Sequence, residues 1–171
     1  RLKTANRLWP LGLYKGVVWE ENPRLFYIGM QDQFYTFNMF DAQAWYARDV
    51  IMGRIKLPSR DKMTKHSKAW RKREEKLADA EQMIWFQGDY VKELLAEIDY
   101  PKFDIEATNK TFMEWEHHKA ENIMGFRDNA YRSLMTGTMS PVHHTPWVDA
   151  MDDSMACYLG DGKTGRREAA E

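Results

Sequence analysis

LFYIGMQDQFYTFN, residues 25–38, contains a short apolar run, a polar and aromatic loop, and the beginning of a helix. The run at residues 25–28 is bounded by Pro23 and Gly29, which is the pattern of a strand that is covered on both faces. An earlier segment, residues 14–19, predicts another strand. Because two strands alone would leave both sheet edges open, we expect the rest of the sheet to lie outside this chain.

The segment after the second predicted strand leads into a helix. Asn38 or Asp41 can cap this helix, and Gly53 follows its end. Apolar side chains recur along it at spacings of four, three and four, at Phe40, Ala44, Ala47 and Ile51. In open α/β sheets, ligands bind beyond the carboxyl ends of strands and beside helix N-termini. Residues 29–37, the candidate loop, are therefore the predicted ligand contact.

Helical patterns dominate the remainder of the chain. A very charged surface helix is predicted over residues 61–78, with Trp70 as its anchor in the core. The next helix begins at a capping box made by Asp79 and Gln82 and ends near Tyr100. Its broad apolar stripe consists of Met83, Tyr90, Val91, Leu94, Leu95 and Ile98. This stripe predicts a packed face.

A further helix is predicted over residues 112–124. Thr111 and Glu114 have the spacing of a capping box at its start, and Gly125 follows its end. The preceding residues, 103–109, have the composition of an extended linker.

Composition limits the class of protein. The 171 residues are 43% hydrophobic, enough for one domain with a real core. Twenty-five basic and 26 acidic residues give a net charge of -1, so no overall field favours nucleic acid or an anionic membrane. The single cysteine, Cys157, excludes an internal disulfide framework, and no apolar run reaches the length of a membrane span. We expect a cytoplasmic protein that binds neither nucleic acid nor membrane.

Three groups of residues are candidates for metal or nucleophile sites. Glu114, His117, His118 and Glu121 can share one helix face, and Glu-x-x-His is half of a di-iron pattern. The second half is missing from the sequence, so a polar helix face is favoured and no metal is predicted. His143 and His144 fit a hydrogen-bonded loop, and Cys157 fits a packed helix over residues 148–159.

Several longer segments resemble one known family. They are LWPLGLYKG (8–16), FYIGMQDQ (26–33), FNMFDAQ (37–43), AWYARDVIMG (44–53), ATNKTF (107–112), FRD (126–128), SLMTGTM (133–139) and HHTPW (143–147). Together they resemble the carboxyl-terminal part of bacterial flavin-containing monooxygenases of the trimethylamine monooxygenase subgroup. The match runs from Leu8 to about Tyr158.

The resemblance implies the fold class and the activity. The fold is α/β, the carboxyl-terminal part of a Rossmann-like flavoprotein with two dinucleotide-binding domains, here two or more short strands followed by mostly helical additions. The implied cofactors are FAD and NADPH. The implied reaction is N-oxygenation of trimethylamine, with oxygenation of other small amines or sulfides as a further implied activity, through a C4a-hydroperoxyflavin formed with O2. The glycine-rich phosphate-binding fingerprints are missing from these residues, so we expect this segment alone to be inactive. The full-length protein is expected to be a homodimer.

The same resemblance assigns regions and site residues. Residues 1–53 are expected to complete the FAD domain, 54–160 to form a helical extension on it, and 161–171 to form a mobile tail. Gln33 and Thr36 match flavin-contacting residues, and Arg127 matches an NADP-contacting arginine, whereas catalytic residues lie upstream. From the residues alone, a turn-forming Gln/Thr pair and an arginine paired with Asp128 would be favoured.

A hypothesis of a different kind stays open at this point. The charged and amphipathic helices between residues 61 and 98 could form a non-catalytic interaction or dimerisation module.

Overall fold

The computed structural model describes residues 7–134 and 137–139. Its elements are β1 Leu13–Tyr14, β2 Val18–Trp19, α1 Thr36–Ile51, α2 Arg60–Glu74, α3 Ala80–Leu95 and α4 Ile105–Glu121, followed by a 3-10 helix at Phe126–Asp128. This content confirms the predicted α/β class. The chain divides into two compact units, Arg1–His117 and His118–Glu171.

Several predictions fall on residues outside this description. They concern the helix over 148–159, the tail at 161–171, His143, His144 and Cys157. None of the helices within residues 7–134 combines the length and apolar composition needed to cross a membrane.

The predicted strand over residues 14–19 is in fact a hairpin. β1 and β2 pair in antiparallel register, with Leu13 opposite Trp19. Lys15 and Gly16 both have positive φ, 50° and 65°, as the centre of a type I′ turn requires. Val17 N–H closes the turn by donating to Tyr14 O over 3.1 Å. The glycine inside the predicted strand therefore marks the turn that divides it.

The prediction of a covered strand at residues 25–28 is wrong. This segment forms a single bridge to the hairpin, between Val18 and Phe26. Two of its apolar side chains are largely open to solvent, with Leu25 37% and Ile28 44% exposed. Within the described residues the segment has β2 as its neighbour on one edge alone, so no second strand covers it.

Helix α1 begins at Thr36, earlier than the predicted caps at Asn38 and Asp41. Its end follows the prediction, because Gly53 has φ 72° and donates to Val50 O while Arg54 N–H donates to Asp49 O. These two bonds form a Schellman motif.

The buried face of α1 differs from the predicted stripe. Its apolar members are Met39, Ala42, Tyr46 and Ala47. Of the predicted residues, Ala44 is exposed and Ile51 is 68% exposed. The helix begins earlier and packs with a different face against the core.

The capping box of α3 is confirmed. Asp79 accepts a hydrogen bond from Gln82 N–H over 2.8 Å, and the Gln82 side chain accepts one from Ala78 N–H over 3.0 Å. The first bond satisfies an N–H group that the first turn of a helix leaves unpaired, and the second binds the N–H just before the cap residue. The predicted stripe also packs, since its members are buried except for half-buried Met83.

Helix α4 contradicts the predicted linker and cap. Residues 105–109 are helical, and Asp104 caps the helix by accepting from Ala107 N–H over 2.9 Å. Thr111 lies inside the helix, where its hydroxyl donates to Ala107 O over 3.1 Å. The helix ends at Glu121 rather than Met124. A threonine inside a helix can donate its hydroxyl to the carbonyl four residues earlier. Its sequence spacing to Glu114 then looks like a capping box although no cap is formed.

Aromatic rings form the centre of the core in the first unit. Trp9 stacks on Trp70 of α2 with ring centroids 4.9 Å apart. Trp70 meets Phe86 of α3 edge to face at 5.0 Å, and Tyr90 lies 5.5 Å from Trp9. Trp70 is 6% exposed, which confirms it as the anchor of α2. Helices α2 and α3 thus share one core with the hairpin, and they do not form a separate module.

Candidate functional site

The candidate loop connects the hairpin region to α1, and two of the predicted site residues lie in it. Gln33 is half-buried, and its Oε1 atom is buried without a hydrogen-bond donor among the described residues. Thr36 is the exposed first residue of α1. The loop therefore presents an acceptor and a hydroxyl close together in sequence.

The N-terminus of α1 adds backbone donors to this site. Tyr35 occupies the cap position and makes no side-chain cap. The N–H groups of Phe37 and Asn38 form no hydrogen bond within residues 7–134. Such N–H groups, together with the helix dipole, attract ligand oxygens that carry negative charge.

Gln87 of α3 holds the middle of the candidate loop. Its Oε1 accepts from Phe34 N–H over 2.6 Å and from Tyr35 N–H over 2.9 Å. Its Nε2 donates to Asp32 O over 2.8 Å. Gln87 is 1% exposed, so one buried amide replaces the sheet partner that this stretch lacks.

Gln43 of α1 holds the start of the loop. Its Oε1 accepts from Gly29 N–H over 2.8 Å, and its Nε2 donates to Gln31 Oε1 and to Tyr90 Oη, each over 2.8 Å. Tyr90 then donates to Lys15 O in the hairpin turn over 2.8 Å. Burial raises the pKa of Tyr90, so its hydroxyl keeps its proton and remains a donor. This chain of bonds connects the loop to the hairpin.

Tyr35 is fixed at both ends. Its N–H is bound by Gln87, and its hydroxyl donates to Asn109 Oδ1 of α4 over 2.6 Å. Asn109 approaches α3 at Gly88, where a Cβ atom would lie 2.5 Å from Asn109 Oδ1. A glycine is therefore needed for α4 to reach Tyr35 beside Gln87.

A partly buried ion cluster joins the hairpin turn to α3. Lys15 is 2% exposed, and its Nζ lies 2.7 Å from both Glu93 Oε1 and Glu97 Oε1. Glu93 also accepts from Trp70 Nε1 over 2.9 Å, and its Oε1 lies 2.7 Å from His66 Nε2. The carboxylate thus connects α2, α3 and the hairpin.

The cluster favours charged forms. Burial opposes ionisation of Glu93, but hydrogen bonds from His66 and Lys15 outweigh it and lower the pKa of Glu93 to about 2. Burial likewise opposes the charge of Lys15, yet its bonds to Glu93 and Glu97 leave its pKa raised. Paired charges of this kind fix the hairpin on α3.

Arg127 lies in the second unit, in the 3-10 helix. It is exposed, and its guanidinium carbon lies 4.4 Å from the centroid of the Phe126 ring. No ion pair joins it to Asp128 in the part of the chain that the structure describes. The alternative reading of Arg127 as the partner of Asp128 therefore has no support in the geometry.

The histidine pair of α4 has other contacts. His118 Nδ1 lies 2.8 Å from Tyr131 Oη within the second unit. Across residues 7–134 and 137–139, no group of three or more His, Cys, Asp or Glu side chains is placed to hold a metal ion.

Sequence reasoning missed the residues that hold the candidate loop. Gln43 and Gln87 lie on buried helix faces, and Asn109 was assigned to a linker. A signal existed for Gln87, because it lies four residues after Met83 and three before Tyr90, inside the apolar stripe. A polar side chain at a core position needs a buried partner.

Comparison with known proteins identifies relatives of the chain. No family model matches it. Trimethylamine monooxygenases from Pelagibacter ubique (strain HTCC1002) and Roseovarius sp. (strain 217) are 58% and 60% identical over 93% of the chain. The crystal structure of Tmm from Pelagibacter sp. strain HTCC7211 matches 93% of the chain with a TM-score of 0.80 and 58% identity.

The identity to these relatives shows the class of protein: the chain is a homologue of monooxygenases, which are oxidoreductases. Within that class it is homologous to a carboxyl-terminal portion of the trimethylamine monooxygenases, which confirms the resemblance found in the sequence. The chain spans 36% of the length of the first two relatives and of the Tmm chain.

Proposed function

We propose that the chain is the carboxyl-terminal portion of an NADPH- and FAD-dependent monooxygenase that N-oxygenates trimethylamine and also oxygenates other small amines, at nitrogen, or sulfides, at sulfur. The observation that carries this proposal is 55–60% identity to trimethylamine monooxygenases over 92–93% of the chain. The whole protein would be a cytoplasmic homodimer with two dinucleotide-binding domains. Residues 1–53 would complete the FAD domain, and residues 54–160 would pack on it.

The residues of the candidate loop fit a flavin. The polar edge of the flavin ring carries both N–H and C=O groups. Gln33 Oε1, a buried acceptor without a donor among the described residues, suits the N–H group. The N–H groups of Phe37 and Asn38 and the Thr36 hydroxyl suit the carbonyl groups. Gln33 and Thr36 are therefore proposed to hold the flavin ring.

The protein's own part in the chemistry is binding and orientation. Reduced flavin, when bound, supplies the electrons with which O2 becomes an oxygen donor to the amine. The rigid loop would hold the polar edge of the ring in one orientation, and the α1 N-terminus would stabilise negative charge there. Phe34 and Phe37 border Gln33 and Thr36 in sequence and would help to exclude water.

Arg127 is proposed to bind NADP+. A guanidinium has its N–H donors in a planar fork that matches phosphate oxygens. One face lies over the Phe126 ring, which restricts the side chain and leaves its N–H groups at the exposed edge. This restriction lowers the entropy that a bound phosphate would have to remove.

The test uses the full-length protein that contains this segment. We expect it to purify with bound FAD, to oxidise NADPH faster when trimethylamine is added, and to release the N-oxide, detected by mass spectrometry. A protein that binds no FAD, or that oxidises NADPH without forming N-oxide, would overturn the proposed function.

A further inference from the structure

We infer that Gln87 is a positioning residue for the flavin: it sets the conformation of the candidate loop so that Gln33 and Thr36 meet the ring. This inference rests on the proposed function. Gln87 lies on α3 and belongs to none of the segments that carry the resemblance. Its role follows from where its amide group lies.

The side-chain amide of Gln87 binds the backbone on both sides of Gln33. It donates to the carbonyl of Asp32 on one side and accepts from the N–H groups of Phe34 and Tyr35 on the other. A planar amide has its donor and acceptor at a fixed separation, so these three bonds restrict the backbone torsions on both sides of Gln33. The position of the Gln33 side chain follows from those torsions.

Gln43 holds the start of the candidate loop and Asn109 binds the Tyr35 hydroxyl, but few backbone hydrogen bonds define residues 32–36. The other backbone bonds of residues 32–36 in the described chain run from Asp32 N–H to Arg7 O and from Thr36 N–H to Phe34 O, with Met39 N–H of α1 donating to Tyr35 O. The N–H of Gln33 reaches only the side chain of its neighbour Asp32. Because no strand ladder runs along this stretch, its shape depends on the side chain that binds it. Without Gln87, the two N–H groups would be left to find water or new partners.

The support behind Gln87 is rigid. Ile84 and Val91, one turn before and after it on α3, are both 0% exposed, and Gln87 itself is 1% exposed. A side chain packed in this way has few alternative rotamers, which makes it suited to holding a binding group within narrow limits. The loop is thus preorganised by the core of the first unit.

The experiment compares three variants of the full-length protein. Gln87→Leu keeps the approximate volume and removes all three bonds. Gln87→Glu keeps acceptor oxygens for Phe34 and Tyr35 but places a carboxylate against Asp32 O. Asp79→Ala is the matched control, because it removes the cap of the same helix and leaves the candidate loop untouched.

Three measurements are made on each variant: the dissociation constant of FAD, the visible absorption spectrum of the bound flavin, and amide hydrogen exchange of residues 32–37. We expect Gln87→Leu to weaken FAD binding by about tenfold to a hundredfold, because the N–H groups of Phe34 and Tyr35 lose their acceptor. Exchange at Phe34 and Tyr35 should accelerate, and the spectrum should shift. Asp79→Ala should lower the melting temperature while FAD binding changes by less than about twofold.

The outcomes separate the two proposals. If wild-type protein binds FAD and Gln87→Leu binds it equally well, the positioning role is overturned and the proposed function stands. If wild-type protein binds no FAD, the proposed function itself fails. If Gln87→Leu does not fold, Gln87→Glu decides: weaker FAD binding with faster exchange supports the role, and unchanged affinity overturns it.

Discussion

The hydroxyl of Tyr35 donates to Asn109 Oδ1 over 2.6 Å, joining the start of α1 to α4 across 74 residues of sequence. Both residues are buried, at 1% exposure each. The same hydroxyl lies 3.1 Å from Ile105 O. Helix α4 therefore fixes the end of the candidate loop through the Tyr35 hydroxyl, while Gln87 of α3 binds the Tyr35 backbone N–H.

Tyr35→Phe should lower the free energy of unfolding by about 1–3 kcal/mol, because the variant leaves a buried Asn109 oxygen without its donor. Chemical unfolding of the full-length protein measures this change. Tyr27→Phe is the control, since the Tyr27 hydroxyl makes no hydrogen bond among the described residues and its loss should change stability by less than about 0.5 kcal/mol. If both substitutions changed the free energy of unfolding equally, the bond between Tyr35 and Asn109 would not stabilise the fold as predicted.

Gly16→Ala should be much more destabilising than Gly12→Ala. Both glycines have positive φ, 65° and 77°, so both substitutions introduce backbone strain of about 1–2 kcal/mol. A Cβ at Gly16 would also lie 2.1 Å from Gln31 Nε2 and 2.8 Å from Tyr90 Oη, whereas one at Gly12 meets nothing within 4 Å. Melting temperatures of the two variants compare them directly. A similar decrease in melting temperature in both variants would show that the side chains around Gln31 can move to accept the Cβ atom without loss of stability.

The ion pairs of Glu93 should affect how the free energy of unfolding falls at acid pH. Its pKa is lowered from an ordinary value of 4.5 to about 2, so its stabilisation is present above pH 4.5 and is lost as pH falls through about 2. Glu93→Gln should therefore reduce stability at neutral pH and flatten its decline between these two values. Urea unfolding across the pH range tests this, with exposed Glu81→Gln as a control that keeps the wild-type slope. If the free energy of unfolding fell with the same slope at acid pH in wild type and Glu93→Gln, the prediction would be wrong.

Gln33→Leu should separate flavin binding from folding. Because Gln33 Oε1 is buried without a donor in the described structure, replacing it by an apolar group should leave the stability of the FAD-free protein equal or higher. FAD binding should weaken, since the proposed acceptor for the ring is lost. Calorimetry of the FAD-free protein and a fluorescence titration with FAD give the two quantities. Unchanged FAD affinity would remove Gln33 from the site.

Arg127→Ala should weaken NADP+ binding and leave FAD in place. Loss of a hydrogen bond to a charged group corresponds to about 1.5–3 kcal/mol of binding free energy. The NADP+ affinity of Arg127→Lys should lie between those of wild type and Arg127→Ala, because lysine keeps the charge but lacks the planar set of N–H donors. Equilibrium titration with NADP+ measures the effect. Exposed Arg24→Ala in the first unit is the control and should bind NADP+ as the wild type does. An unchanged NADP+ affinity in Arg127→Ala would exclude the proposed contact.

Local features of the fold could be predicted where a few neighbouring residues carry the signal. The capping box of Asp79 and Gln82 and the stripe of α3 are of this kind, because a capping box spans four residues and a packed face repeats every turn. The same local reasoning failed at Thr111, whose hydroxyl bonds back within α4. It also failed at residues 25–28, because coverage of a strand depends on neighbours far away in sequence.

The sequence by itself determined the homology to trimethylamine monooxygenases and the positions of Gln33, Thr36 and Arg127 as candidate contacts. Long matching segments carry that information without any coordinates. The tertiary structure alone decided what holds the candidate loop: Gln87, 53 residues from Phe34, binds it through three hydrogen bonds. No local pattern specifies such a contact, because a buried amide finds its partners only when distant segments pack together.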